Sequence, residues 1–288
     1  MKKILNALLL WVIALSTWAQ GVSALEQVKA DPRKAYGQDY PYSMKPVALT
    51  KSPKGYKAFY ISHYGRHGSR YYWNDMLYRN LDSLLRKAHE KNQLTPVGEA
   101  FRTKFMAAKT ELATSVSELS DLGWEQHQYI ARTMYNNFED MFKQGGDIYA
   151  ISSLTGRCVL SMASFCQELA QCNPKLEIRE ESARKVLDGV KPDDRQNPNY
   201  KRFPRSRPRF EANRQKFQNN DNLREKIITR VFTSTEGLPG NPNSIAGDFI
   251  NLYTSLPSIG HDGMMEGIIT DEEIAARWEN ENLGSSTW

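Results

Sequence analysis

Two apolar runs in this chain end the same way, and together they constrain the fold more than anything else in it. "KAFYISHY" (57–64) passes into "GRHGSR", and "DIYAISSL" (147–154) passes into "TGRC". Each run is rich in β-branched and aromatic residues, as strands are. Each gives way to a short turn carrying glycine and arginine, and a helical pattern follows. From Asn74, apolar residues recur at Met76, Leu77, Leu81, Leu84, Leu85 and Ala88; "TGRCVLSMASFCQELAQ" (155–171) follows the second run directly. "LEIREES" (176–182) predicts a further short strand. Strands alternating with helices predict an α/β sheet.

The other elements fit that frame. Thr95 and Pro96 mark an N-cap and first helical residue for the helix starting "PVGEAFRTKF". "LSDLGWEQHQYIARTMYNNFEDMF" (119–142) predicts another helix. Beyond Lys191 the chain becomes polar, proline-punctuated and basic, with seven Lys/Arg against one Glu between Lys201 and Phe217. Helical stretches follow near 220–233, 243–256 and 270–282, the last opening with the capping box Thr270/Glu273. Residues 191–288 are therefore expected to be a mostly α-helical insertion beside an α/β core at 25–190. Residues 25–55 carry no periodicity and are expected to form an arm.

Lys2 and Lys3 precede the apolar run "ILNALLLWVIALSTW" and the small residues "AQGVSA", the order of a secretory signal peptide. A membrane span needs ~20 apolar residues, which this run falls short of. Cleavage after Ala19 or Ala24 is expected, leaving an exported, periplasmic or extracellular protein with no integral membrane segment. Removing residues 1–24 deletes two lysines and no acid, so the net charge of +5 falls by two. That balance suits an anionic small molecule or a nucleic acid alike. Export argues against nucleic acid.

Cys158, Cys166 and Cys172 are the three cysteines. Either two pair after export or all remain buried thiols. Position 164 is Ser and position 178 is Ile, so no Cys-x5-Arg phosphate loop is present. No His, Asp and Glu fall at metal-ligand spacing.

Ligands of open α/β sheets sit beyond the C-terminal ends of strands, which is where "GRHGSR" falls. Gly65 and Gly68 allow a sharp turn and close approach. Arg66 and Arg70 offer planar donor forks suited to phosphate oxygens. His67 between them is a candidate nucleophile, its attacking nitrogen kept unprotonated by the neighbouring guanidiniums. Arg157, where the second strand gives way to a helix, is a further anion-binding candidate. His63 is expected to border the pocket. Lys201, Arg202, Arg205 and Arg207 form either further anion contacts or a solvated basic loop. His89 and His127 read as solvated or structural.

"RHGSR" at 66–70 resembles the signature of the histidine phosphatase superfamily, in particular its acid phosphatase and phytase branch. The exported, tyrosine-rich context is most similar to bacterial multiple inositol polyphosphate phosphatases. "LSDLGWEQH" (119–127) and "SSLTGRCVLSM" (152–162) resemble two further segments of that branch. The resemblance implies a phosphoglycerate-mutase-like core sheet flanked by helices, with an inserted helical domain. It implies hydrolysis of phosphomonoesters, phytate first, through a phosphohistidine on His67, with phosphate held by Arg66, Arg70 and Arg157. It implies no metal or cofactor.

The family also uses a late histidine with an acid, His-Asp or His-Ala-Glu, to protonate the leaving alkoxide. Here His261-Asp262 in "LPSIGHDGMMEG" is the weak candidate, since no apolar strand precedes it. The expectation is instead that the His-Ala-Glu strand and helix lie past Trp288, so that the core sheet and its general acid are incomplete. A phosphate or polyanion binder without catalysis is the competing reading, and a phosphohistidine transferase or mutase is a third.

Overall fold

The computed structural model describes residues 24–47, 49–186 and 222–285. The run read as a signal peptide, and Lys201, Arg202, Arg205 and Arg207, lie outside the described residues. The elements, in chain order, are α1 (Ala24–Ala30), a 3-10 segment (Pro32–Asp39), α2 (Met76–Glu90), α3 (Pro96–Thr114), α4 (Asp121–Asn137) and the short α5 (Glu139–Phe142). After these come β1 (Gly146–Ile151), α6 (Gly156–Cys172), β2 (Leu176–Glu181), α7 (Leu223–Val231), α8 (Pro242–Ser255) and α9 (Asp271–Ser285). The fold is α/β. Its described sheet is the parallel pair β1–β2, in register from Gly146 opposite Leu176 to Ile151 opposite Glu181. α6 is the crossover between the two strands, as a parallel connection requires.

The helix signals hold where they are local. Thr95 caps α3 by accepting a hydrogen bond from the Gly98 amide at 3.1 Å. Thr270 and Glu273 form the predicted box: the Thr270 amide donates to Glu273 Oε2 at 3.1 Å, and the Glu273 amide donates to Thr270 Oγ1 at 3.3 Å. Each bond satisfies an amide that the helix itself leaves open.

The run 57–64 differs from expectation. It joins no ladder among the described residues, and Phe59, Tyr60 and Tyr64 face solvent at 93%, 75% and 77% exposure. Strand propensity describes how side chains fit a pleated surface; the ladder itself needs a partner. Here a groove lies between residues 59–67 and β1, and among the described residues this side of β1 has no paired strand.

Most of the buried apolar surface lies in one cluster that joins α2 and α3 to α7, α8 and α9. Leu81, Leu85, Phe105, Leu112, Ile227 and Phe249 are fully buried there. The Phe101 ring centroid lies 5.1 Å from Phe249 and 5.9 Å from Phe105, at separations where aromatic pairs gain energy beyond area burial. Helices from either side of residues 187–221 therefore share one core. Tyr36 of the 3-10 segment is buried in it too, and its hydroxyl donates to Asp271 Oδ1 at 3.0 Å. So the aperiodic arm is tied to the helical core.

A second cluster, Ala131, Phe142 and Leu169, sits where α4 and α6 pack together near the sheet. Glu168, 2% exposed, is held there by Arg132, whose Nε and Nη2 reach its Oε1 at 2.7 and 2.6 Å. The three cysteines all lie on α6 and are free thiols.

Candidate active site

The segment after residue 64 is fixed by backbone contacts. Arg70 bridges Leu119 in antiparallel fashion. The Tyr71 amide donates to the Glu118 carbonyl and the Ser120 amide to the Ser69 carbonyl, both at 3.0 Å. Below the loop runs the first turn of α4. Ser120 caps that helix by accepting from the Gly123 amide at 3.2 Å. Loop and helix meet backbone to backbone: a Cβ on Gly68 would stand 2.3 Å from the Gly123 carbonyl, and one on Gly123 only 2.2 Å from the Ser69 carbonyl. Gly68 has no left-handed φ. Close approach, rather than a turn, demands glycine at this position.

Side chains complete the cradle. Gln126, 1% exposed, accepts from the Ser69 amide at 2.8 Å and donates to the Tyr42 carbonyl at 3.3 Å. The Gly68 amide donates to Ser161 Oγ on α6 at 3.1 Å. One loop is thus clamped by α4, by α6 and by the N-terminal arm.

His67 is half-buried, and its Nδ1 lies 2.8 Å from the Gly68 carbonyl. A proton on Nδ1 donated to that carbonyl leaves the Nε2 lone pair for chemistry. Burial, and then the charges of Arg157, Arg66 and Arg70, pull His67 below the usual histidine pKa, while the Gly68 carbonyl pulls the other way. The net effect favours the neutral imidazole. Burial, more than the guanidiniums, dominates this shift.

The three arginines converge on His67 from two elements, the loop and α6. Arg66 Nη1 donates to the Gln38 carbonyl at 2.7 Å. Arg70, its side chain 10% exposed, donates from Nη1 to the Tyr71 carbonyl at 2.9 Å and faces Asp39 Oδ1 at 3.8 Å. Arg157, in the first turn of α6, donates from Nη1 to Ser117 Oγ at 2.7 Å. Its Nε is buried and has no hydrogen-bond partner among the described residues. A buried donor without a partner costs free energy that an anion would recover. The N-cap Thr155 makes no side-chain cap bond, so the positive end of α6 adds to the field.

A groove of about 840 Å³ opens beside this cluster, lined by Arg66, His67, His63, His127 and one edge of β1. His63 borders it as expected. Its ring stacks on Phe165, centroids 5.3 Å apart and planes 5° from parallel, and burial lowers its pKa. His127 was not foreseen as part of the site. It is 7% exposed, bonds the Arg66 carbonyl, and is pushed down to about 4, chiefly by burial. A signal for it existed: Gly123, Gln126, His127 and Ala131 share one face of α4, so polar side chains sit at core positions.

His261 and Asp262 do not join this cluster. They begin a short 3-10 turn, Asp262–Met265. His261 Nε2 lies 3.3 Å from both carboxylate oxygens of Glu111, and Asp262 lies within the field of Arg33. His89 pairs with Glu99 at 2.6 Å on the surface.

Among solved structures, the chain is similar to the Bifidobacterium longum multiple inositol polyphosphate phosphatase. With that protein in complex with inositol hexasulfate it shares 16% identity at a TM-score of 0.62, over 86% of this chain and 69% of the other. The phosphate complex aligns at 15% identity and a TM-score of 0.58, and the apo form at 15% and 0.56, each over 87% of this chain and 66% of the other. The chain thus spans about two thirds of the length of the structures it matches. No protein-family model matches it, and no curated protein does. The α/β class expected from the sequence is observed and matches the fold of these neighbours, although the run 57–64 is not a strand.

Proposed function

We propose that this protein hydrolyses phosphomonoesters through a phosphohistidine on His67, with inositol polyphosphates as its substrate class. One observation carries the reading: three guanidiniums from two separate elements surround an imidazole whose Nδ1 is tied to the Gly68 carbonyl. Arg66, Arg70 and Arg157 hold the phosphate oxygens and offset charge as it develops in the transition state. His67 Nε2 attacks phosphorus as the P–O ester bond breaks, and the departing oxygen takes a proton from water to leave as the alcohol. Water then attacks the phosphohistidine and frees the imidazole with inorganic phosphate. The inositol polyphosphate class is supported by the fold neighbours, which are inositol polyphosphate phosphatases.

A phosphate clamp without turnover is the second reading. One observation favours it: among the described residues, no His-acid dipeptide lines the groove with His67. The test is phosphate release from inositol hexakisphosphate and from p-nitrophenyl phosphate by wild type and His67→Ala. Release by wild type that is lost in the variant supports the enzyme. Binding without release supports the clamp. Release undiminished in His67→Ala overturns the nucleophile assignment.

A further inference from the structure

The arm delivers a carboxylate to the arginine cluster that neither the sequence motif nor the reaction above uses. Asp39 ends the 3-10 segment Pro32–Asp39, and its side chain is 16% exposed. Its Oδ1 stands 3.8 Å from Arg70 Nη2, near enough for an ion pair but too far for a hydrogen bond. The preceding carbonyl, of Gln38, takes Arg66 Nη1 at 2.7 Å. Two consecutive arm residues therefore engage donors on two of the three phosphate-clamp arginines. The arm cannot drift from this place freely: Ser258 Oγ donates to the Asp39 carbonyl at 3.3 Å, and Tyr36 is anchored to Asp271.

Every group facing the Asp39 carboxyl is identifiable. Arg70 and Arg66 approach from the loop, the Tyr72 phenol lies in its field just beyond, and Thr254 lies near it on α8, its hydroxyl donating to the Asn251 carbonyl at 3.3 Å. Asp271, on α9, is turned instead toward Tyr36 and Tyr253. Burial raises the Asp39 pKa, and the two arginines, ahead of Thr254, oppose that rise. An anion bound to those same arginines would cancel their help and add repulsion across a few ångströms.

We propose that Asp39 takes up a proton as a phosphate group enters the clamp, so that anion binding at Arg66, Arg70 and Arg157 is coupled to one proton. This rests on the reading of those arginines as the phosphate site. Linkage is reciprocal: if the anion favours protonated Asp39, protonation favours the anion by the same factor. The device tunes the site to mildly acid conditions. It also leaves a neutral carboxylic acid, rather than a carboxylate, beside the bound phosphate.

Inorganic sulfate tests this, because its charge is fixed across the pH range where Asp39 titrates. Calorimetric titration of the full chain in buffers of different ionisation enthalpy gives both the affinity and the protons taken up. The comparison is wild type against Asp39→Asn, which keeps the size of the side chain and removes its titration. The expected result is that Asp39→Asn binds sulfate about tenfold or more tightly than wild type at pH 7. The difference should shrink toward pH 5, and the proton uptake due to this group should vanish in the variant. A second measurement needs no variant: the infrared carbonyl band of a protonated carboxyl should grow when sulfate is added to wild type near pH 6. Equal or weaker sulfate binding by Asp39→Asn at pH 7, unchanged proton uptake, or no new carboxyl band would each overturn the proposal. None of these readouts requires turnover, so failure here is distinct from failure of the His67 reaction, which phosphate release by His67→Ala decides.

Discussion

Gly123→Ala is the sharpest perturbation of the cradle, because it changes no charge and removes no hydrogen-bonding group. The added Cβ would lie 2.2 Å from the Ser69 carbonyl oxygen, 2.8 Å from the Ser69 nitrogen and 2.7 Å from Leu119 Cδ1. The Leu119 side chain can swing away; the Ser69 backbone cannot. Ordinary contact requires the loop and α4 to separate by about 1 Å. That displacement loosens the bond from the Ser69 amide to Gln126 and the bond from the Ser120 amide to the Ser69 carbonyl, at 2.8 and 3.0 Å. Overpacking of this kind costs about 1–3 kcal/mol, which lowers the melting temperature by roughly 2–12 °C for a chain of this size. His67 and Arg70 flank Ser69 closely, and a ~1 Å misplacement of reacting groups costs about 10²-fold in rate. The assay pairs a thermal melt with kcat for p-nitrophenyl phosphate. Gly247→Ala is the control: its nearest atom is Arg224 Nη1 at 3.7 Å, within α8, where alanine should stabilise by about 0.5–1 kcal/mol. A folded Gly123→Ala protein with wild-type kcat would refute the claim that this contact holds the loop.

Other consequences follow from single contacts. Arg157→Ala removes a clamp donor and should lower kcat/KM by about 10²–10³-fold. It should also move the acid limb of the kcat/KM profile upward in pH, since one of the charges depressing His67 is gone; an unmoved limb would separate Arg157 from His67. Thr95→Ala removes the α3 cap and the hydroxyl's bond to the Arg230 carbonyl, and should cost about 1–2 kcal/mol in denaturant melts. For Glu273, burial alone would raise its pKa, but the Arg230 fork at 2.7 and 2.9 Å, the Thr270 amide and Lys226 hold it at about 2. A carboxyl so depressed stabilises the fold fully above its ordinary value near 4.5 and loses that contribution as pH falls toward 2. Discounted for solvent access, the contribution is about 1–2 kcal/mol. Wild type should therefore lose more stability than Glu273→Gln between pH 5 and pH 2.5, and parallel losses would contradict the pairing.

What could be read from the sequence follows the range of each interaction. Thr95, Thr270 and Glu273 cap helices through contacts three residues apart, so their roles were legible in a short window. Arg66, His67 and Arg70 were legible because one loop carries all three. The run 57–64 shows the opposite case. Its residues favour a strand, yet the ladder depends on a distant partner that no local pattern reveals. The arm was read as aperiodic, yet it carries α1 and the 3-10 segment; its place comes from Tyr36 meeting Asp271 far along the chain and from Arg66 meeting Gln38. Asp39 belongs to the same class, because its meaning lies wholly in the approach of Arg70. His127 lies between. Its place on the buried face of α4 was readable from spacing, but its bond to the Arg66 carbonyl was not.

The central claim is a covalent bond between phosphorus and His67, and it can be observed directly. Wild type mixed briefly with phosphate-labelled substrate should be quenched in alkali, which preserves phosphohistidine, then digested and analysed by mass spectrometry. The account predicts one phosphoryl group on the peptide containing His67, absent from His67→Ala and discharged on further incubation. Label on any other residue, or steady turnover with His67 unmodified at every time, would contradict it.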